Sequence, residues 1–376
     1  MKTGTLDTRL LQHNLSARIR QDISSQRVCG AAVAVLQHGK LLYEATFGYQ
    51  HPESSEPLRA DAILRIASMT KPITAVAVLQ LVQQGKLQLQ DEVSKYLPQY
   101  ARIPMADGGY NTVPLRIWHL LTHTASMEAD ALSRETARYK IPPENTKTSA
   151  GAVDYYAQLP LPFEPGTHRR YSGRVGYDIL GRSVEVVSGV EFAEYLQQNI
   201  FRPCGMVDTT FAPSEEQWQR VVGMHNYVDG KGVTAPTVPG CVVDNCPVTH
   251  PLGGSGLIST LDDYVKFAQM LQQKGMTPNG RILDEVWIDE MARPQLPEEM
   301  MSESVNQGLG VRVITGDGYP WLPGGTYGWS GAYGTHYWVD PVNGITAIYM
   351  KNSRYDGGSG ALTAKHFEED VFLSIL

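Results

Sequence analysis

Apolar positions recur along this chain in two rhythms, and the places where one rhythm gives way to the other mark its organisation. Leu6, Leu10, Leu11, Leu15, Ile19 and Ile23 fall near helical spacing and predict an amphipathic helix. The period then shortens. Residues 31–36 and 41–47 are short apolar runs joined by Gln37-His38-Gly39-Lys40, in which Gly39 can supply the positive φ of a hairpin turn. A matching pair, residues 335–339 and 345–350, flanks Asp340-Pro341-Val342-Asn343-Gly344 near the other end. Residues 308–314 offer a further strand. Residues 361–376 read as a closing helix with Phe367, Val371 and Ile375 on one face. Both chain ends therefore contribute to one antiparallel sheet, with terminal helices available to cover it.

Helical signals dominate between the two ends: residues 73–84 before Gly85, 115–121, 177–187 before Gly189, and 192–201 before Pro203. The Pro- and Gly-rich stretches 160–166 and 253–256 read as loops within compact domains. Thr260-Leu261-Asp262-Asp263 resembles a capping box with Asp in place of Glu and opens another helix through Leu271. At 376 residues the chain exceeds the size at which one core usually stops growing. The expected architecture is α/β (α+β). An antiparallel sheet flanked by helices is assigned to residues 1–66 and 251–376, a mostly helical inserted domain to 67–250, and a cleft to the space between.

Composition narrows the function. Hydrophobic residues make up 42% of the chain and charged residues 19%, as in ordinary soluble globular proteins. The net charge of −7, without a basic stripe, argues against a nucleic-acid partner. The polar start Met1-Lys2-Thr3-Gly4-Thr5-Leu6-Asp7 lacks the apolar run of a secretory signal, and no stretch reaches membrane-spanning length. A cytoplasmic protein without membrane association is expected. The four cysteines, Cys29, Cys204, Cys241 and Cys246, are too scattered for a disulfide framework. Cys241 and Cys246 are close enough to suggest a redox pair, though free thiols fit a reducing compartment better. No metal site and no cofactor motif follow, and nothing in the pattern specifies an oligomeric state.

Three short motifs carry chemistry. Ser68-Met69-Thr70-Lys71 is the one S-x-x-K of the chain and precedes the helix predicted from near Pro72. Residues three apart on a helix share a face, so the Lys71 amine falls beside the Ser68 hydroxyl. The helix N-terminus favours an oxyanion forming there. Tyr171-Ser172-Gly173 supplies a phenol as candidate acid or base. Gly328-Trp329-Ser330-Gly331-Ala332, just before the strand at Thr335, offers small residues that let a substrate carbonyl approach the backbone. Each motif alone has an ordinary alternative: a helix cap with an exposed lysine, a packing tyrosine, a strand-edge turn. His119 and His123, four apart, read as helix packing rather than as ligands. Trp321, Tyr327, Trp329, Tyr333, Tyr337 and Trp338 suggest an apolar acyl pocket with some members in the core.

In this order and context the motifs resemble those of class C β-lactamases, D,D-peptidases and family VIII carboxylesterases across nearly the whole chain. Supporting segments are Ala62-Ile63-Leu64-Arg65-Ile66-Ala67, Leu120-Leu121-Thr122-His123-Thr124, Pro162-Phe163-Glu164-Pro165-Gly166-Thr167 and Gly253-Gly254-Ser255-Gly256-Leu257. The resemblance implies Ser68 as acylated nucleophile, with Lys71 and Tyr171 as its proton-transfer partners. It also implies an oxyanion hole from the N–H groups of Ser68 and Ala332. Substrate contacts would fall at Gly173, Trp329, Ser330, Gly331 and Tyr333.

Two departures direct the choice of substrate. Gly173 stands where class C β-lactamases commonly carry the Asn of Y-x-N, and Trp329-Ser330-Gly331 stands in place of K-T-G. Glycine offers no amide side chain and tryptophan no cation for a β-lactam carboxylate. A Trp-x-Gly third motif is similar to family VIII carboxylesterases. The expected function is a serine hydrolase on small or short-acyl esters, its partner a small-molecule ester or amide substrate. The alternatives on this fold are a β-lactamase, a D-amino-acid peptidase or amidase, and an acyltransferase; outside it, a non-catalytic scaffold. No G-x-S-x-G elbow, H-E-x-x-H or phosphate-binding loop is present.

Overall fold

The computed structural model describes residues 3–127, 142–237, 240, 242, 250–316 and 318–376. Helix α1 (Thr8–Ser24) opens the chain, capped by the Asp7 carboxylate, and the hairpin of β1 (Gly30–Gln37) and β2 (Lys40–Gly48) follows. Its turn residues His38 and Gly39 lie at φ +49° and +76°, the double positive φ that fits strand twist in a two-residue hairpin. At the other end, β3 (Val305–Gln307), β4 (Arg312–Ile314), β5 (Tyr327–Ser330), β6 (His336–Asp340) and β7 (Ile345–Met350) complete one antiparallel sheet of order β2-β1-β7-β6-β5-β4-β3. The two chain ends meet at its middle, where Ala34 faces Ile348 across β1 and β7.

Two expectations for these strands are corrected. Residues 308–314 do not form one strand: Gly308 N–H donates to Val311 O, Gly310 turns at φ +78°, and the chain reverses between β3 and β4. Apolar Leu309 and Val311 mimic strand positions because the turn itself is buried. Gly328, Trp329 and Ser330, expected just before the strand at Thr335, are themselves part of strand β5. At Gly328 a Cβ would sit 2.1 Å from the Tyr337 carbonyl, so glycine is required for β5 and β6 to approach.

Strand alternation gives the sheet two faces with separate cores. Val33, Val35, Trp338 and Tyr349 pack with Leu11, Leu15 and Ile19 of α1 and with Phe367 and Val371 of the closing helix. Ala32, Ala34, Leu36, Tyr337 and Ile348 face the larger core, which runs on into the helices of the chain's middle. The central one is α2 (Thr70–Gln83), buried all round from Thr70 to Leu81 and apolar there except at Thr70, Lys71, Thr74 and Gln80. Around it are α3 (Ile117–Leu121), α4 (Ser149–Tyr156), α5 (Val175–Ser188) and α6 (Phe192–Leu196). Pro203 does not end the segment begun by α6. A π turn, Gln197–Phe201, leads to a restarted helical turn, Arg202–Cys204, and Pro203 occupies its first turn, where no N–H partner is needed.

After the exposed helix α7 (Glu215–Arg220), a small hairpin of His225–Val228 and Lys231–Thr234 interrupts the helical stretch and is tied to the end of β7. Asn352 O accepts from His225 N–H, and His225 O accepts from Arg354 N–H. Then α8 (Leu261–Gln272) packs on the sheet and α9 (Glu285–Ala292) precedes β3. Thr260 caps α8 through the Asp263 N–H as expected, but the reciprocal half of the box is missing. The Asp263 carboxylate accepts instead from Val207 N, Asp208 N and Thr209 Oγ1. Cys29 and Cys204 are free thiols that burial pushes up to about 11 and about 12; Cys241 and Cys246 lie outside the described residues. Among the described residues no helix is long and apolar enough to cross a membrane.

The closing helix α10 (Leu362–Leu373) is bound to the sheet by one buried carboxylate. Glu368 accepts from Arg312 on β4 at 3.0 Å, from Tyr319 at 2.8 Å and from His336 Nε2 on β6 at 3.0 Å. Burial pushes this carboxyl up, but the His336 contact, the Arg312 charge and the Tyr319 hydroxyl outweigh burial and bring it down to about 2. Its ordinary value is 4.5, so its contribution to stability is complete above that pH and is lost as the pH falls through about 2. Glu368→Gln should cost about 3 kcal/mol at neutral pH. It should also flatten the decline in stability between about pH 5 and 2. Denaturant melts across that range check both, and an unchanged acid slope would refute the assignment.

Candidate active site

The Ser68 turn is built by a short strand and a strained residue. Leu64–Arg65 pairs with Ile258–Ser259, and Ala67 then adopts φ +45°, a region a β-carbon rarely enters. The chain passes through a 3₁₀ turn, Ala67–Met69, straight into α2, leaving Ser68 at the helix N-terminus. The Thr70 hydroxyl fastens the turn, donating to Ala67 O at 2.7 Å and accepting from Leu257 N–H at 3.2 Å.

Lys71 lies one turn on, fully buried, and its Nζ reaches Ser68 Oγ at 3.2 Å. Two main-chain carbonyls complete its surroundings: Gly173 O at 2.5 Å and Gly254 O at 2.8 Å. The rings of Tyr171 and Tyr177 lie 5.1 and 5.4 Å from the amine. Gly254 can come this close because it has no side chain, since a Cβ there would stand 2.8 Å from Gly173 O. Asp178 on α5 holds the same loop by accepting from Gly254 N–H at 3.3 Å. Burial pushes that carboxyl above its usual range.

Tyr171 is the other polar neighbour of the serine, its hydroxyl 2.8 Å from Ser68 Oγ. At 41% exposed it is the open side of the site, in contrast to the buried lysine. Lys71 Nζ, Ser68 Oγ and Tyr171 OH thus form one continuous chain. An ammonium would spend three N–H donors on its three acceptors. A neutral amine would spend two on the carbonyls and accept the Ser68 proton with its lone pair. Both states satisfy the geometry, so the arrangement suits a group that changes protonation during a reaction.

The third motif divides between the two faces of β5. Trp329 points to the Ser68 side, its ring stacked on His123 at 5.7 Å and tilted against Tyr171 at 6.0 Å. Ser330 points the other way and shares a 2.8 Å hydrogen bond with His336 Nδ1. Gly331 brings the end of β5 against the Ser68 turn, where a Cβ would stand 2.4 Å from Ile66 O, and Thr335 Oγ1 donates to the same carbonyl at 3.0 Å. Ala332 is exposed at the following turn, and half-buried Tyr333 accepts from Ser353 N–H through its carbonyl. Gly173 contributes its carbonyl to Lys71. The six aromatic residues do not gather into one pocket. Tyr327, Trp329 and Tyr337 face the large core, whereas Trp338 packs on Phe367 and Trp321 on Phe372 across the sheet.

Two residues of the site escape a reading by motif. His119 is indeed a packing residue, its Nδ1 accepting from Arg116 N–H and its pKa pushed down to about 4 by burial. His123, by contrast, stands between Tyr171, Tyr177 and Trp329. Arg169 lies two residues before Tyr171 and donates to Gln307 Oε1 at 3.2 Å, burial pushing its pKa down. The left-handed conformation of His123 and the burial of Arg169 leave no mark in the spacing of residues. Among the described residues no group of His, Cys, Asp or Glu could hold a metal ion.

Comparison with known proteins gives the family and the fold. The family model for beta-lactamase matches residues 15–367. Esterase EstB of Burkholderia gladioli is 30% identical, over 96% of this chain and 95% of its own length. Lovastatin esterase of Penicillium rubens is 28% identical, over 93% and 96%. Among solved structures, EstCE1, described as a hydrolase with promiscuous acyltransferase activity, superposes with a TM-score of 0.82 at 23% identity, covering 97% of this chain and 99% of its own. Simvastatin synthase (LovD) from Aspergillus terreus superposes with a TM-score of 0.80 at 21% identity, covering 98% of each. At those identities the structures speak for the fold.

Gly254→Ala should displace the carbonyl that anchors Lys71 and lower kcat on a nitrophenyl ester by on the order of tenfold to a hundredfold. Gly85→Ala is the control. That glycine has positive φ, +68°, and open space around it, so the substitution should affect stability and leave kcat intact. Equal effects of the two on kcat would mean that the Gly254 contact does not matter.

Proposed function

Because this chain belongs to the β-lactamase family and is a serine hydrolase of that fold, we propose that it hydrolyses small or short-acyl carboxylic esters through an acyl-Ser68 intermediate. The observation that carries the reading is the unbroken contact from a solvent-free Lys71 amine through Ser68 Oγ to an accessible Tyr171 hydroxyl, at 3.2 and 2.8 Å. Ser68 Oγ attacks the ester carbonyl carbon as its proton passes into the Lys71–Tyr171 pair. The carbonyl oxygen becomes an oxyanion held by the N–H groups of Ser68 and Ala332. The intermediate collapses, the carbon–oxygen bond to the alcohol breaks, and Tyr171 returns a proton to the departing alkoxide. Water then attacks the acyl-enzyme along the same path, giving the carboxylic acid and free Ser68. Residues 67–250 form the mostly helical side of the cleft in this reading, and 1–66 with 251–376 the sheet side.

The preference for esters over β-lactams rests on what surrounds Ser68. Gly173 has no side chain and its carbonyl is committed to Lys71. Trp329 presents an apolar ring packed on His123 and Tyr171 where a carboxylate-bearing substrate would profit from a cation. That EstB and lovastatin esterase carry the name esterase agrees.

Ser68→Ala should reduce turnover of nitrophenyl butyrate by at least about a thousandfold. Lys71→Ala and Tyr171→Phe should each cost about a hundredfold. The double variant should lose less than the product, because both serve one proton path. Simple multiplication of the two losses would contradict a shared path, and near-normal Ser68→Ala turnover would end the mechanism.

Selectivity gives a separate test. A charge-assisted contact is worth about 1.5 to 3 kcal/mol, so Trp329→Lys should raise cephalosporin turnover relative to ester turnover by roughly ten- to a hundredfold. A fall in both rates with no change in their ratio would remove the missing cation as the cause of ester preference.

A further inference from the structure

We propose that His123 is a positioning residue that sets the Tyr171 phenol against Ser68. The proposal rests on the reading of Tyr171 as proton-transfer partner and adds a residue to it. Helix α3 ends at Leu121, Thr122 caps it, and His123 follows at φ +58°. Glycine or asparagine usually takes that place, because the left-handed region crowds a β-carbon. A histidine held there has its side chain put to use.

Three contacts show what that use is. The His123 carbonyl accepts from Arg170 N–H at 2.9 Å, and its Nδ1 accepts from Ser172 N–H at 3.3 Å. Those two donors flank Tyr171, so one residue clips the backbone on either side of the phenol. The imidazole itself lies 4.8 Å from the Tyr171 ring and stacks at 16° on Trp329, which closes the same side. Tyr171 is otherwise an exposed side chain, and its contacts with the His123 and Trp329 rings restrain it beside Ser68 Oγ.

The clip requires one protonation state. Accepting through Nδ1 places the ring proton on Nε2, which is buried with no hydrogen-bond partner among the described residues. A proton on Nδ1 would set two donors against each other at Ser172. The groups facing the ring are Lys71 from α2, Tyr177 from α5, and Arg169, Tyr171 and Trp329. Burial first, and then the charges of Lys71 and Arg169, hold the imidazole well below its usual pKa and so keep it neutral.

The experiment compares His123→Asn and His123→Phe with the wild type and in a Tyr171→Phe background, using nitrophenyl butyrate. Asparagine tolerates the left-handed backbone and offers Oδ1 in place of Nδ1; phenylalanine keeps a ring and loses the acceptor. His123→Phe should lower kcat by on the order of tenfold with little change in KM, and His123→Asn should recover most of that loss. In the Tyr171→Phe background His123→Phe should cost less than about twofold more, since it acts through Tyr171. A full repeat of the tenfold loss there, or equal losses for both variants, would overturn the proposal. A Tyr171→Phe variant with wild-type activity would overturn the reading of Tyr171 instead. Nitrogen-15 NMR of labelled histidine in the wild-type protein tests the clip without any variant that could misfold. An Nε2–H tautomer that does not titrate between about pH 5 and 9 is expected, and an Nδ1–H or titrating ring would contradict it.

Discussion

A lysine amine with no access to water must find its hydrogen-bond partners inside the protein, and Lys71 finds them in three separate parts of the chain. One is the serine a turn before it; the others are the carbonyls of Gly173 and Gly254, about a hundred and nearly two hundred residues further on. Neither carbonyl could approach if a side chain stood at Gly254, and the Asp178 carboxylate holds that loop in register. The strain at Ala67, the burial of α2 on every face and the close approach of Gly331 to Ile66 O all serve this meeting. Ser68 is held in place because the residues around it are fixed.

The site is asymmetric. Lys71 is fully buried and Tyr171 is exposed, so Ser68 Oγ is hydrogen-bonded to one dry group and one open to solvent. The sheet contributes through β5, whose alternation sends Trp329 to the site and Ser330 to the buried His336–Glu368 network behind. The same strand therefore reaches the neighbours of Ser68 on one face and is tied to the closing helix on the other.

Much of this arrangement is legible in the order of residues. The two hairpins, the terminal helices and α2 follow from period and turn chemistry, and the Ser68–Lys71 spacing predicts a contact that the fold indeed makes. What escapes prediction does so for physical reasons. Apolar Leu309 and Val311 read as strand because a buried turn needs the same residues as a buried strand. Trp338 and Trp329 are near in sequence yet end on opposite faces, since β5 and β6 both alternate. Pro203 signals a stop that a preceding π turn circumvents. His123 looks like any helix-end histidine until its left-handed backbone shows that both its carbonyl and its ring face Tyr171. Backbone strain and long-range carbonyl contacts have no signature in composition or period, and they define the site as much as its motifs do.

The central claim is that a covalent bond forms at Ser68 and at no other nucleophile. Mass spectrometry of the protein, acid-quenched during turnover of a short-chain nitrophenyl ester and then digested, tests it directly. One added acyl group is expected, carried by the peptide containing Ser68 and lost on a timescale matching turnover. An adduct on a different residue, or full turnover with the Ser68 peptide never modified, would contradict it.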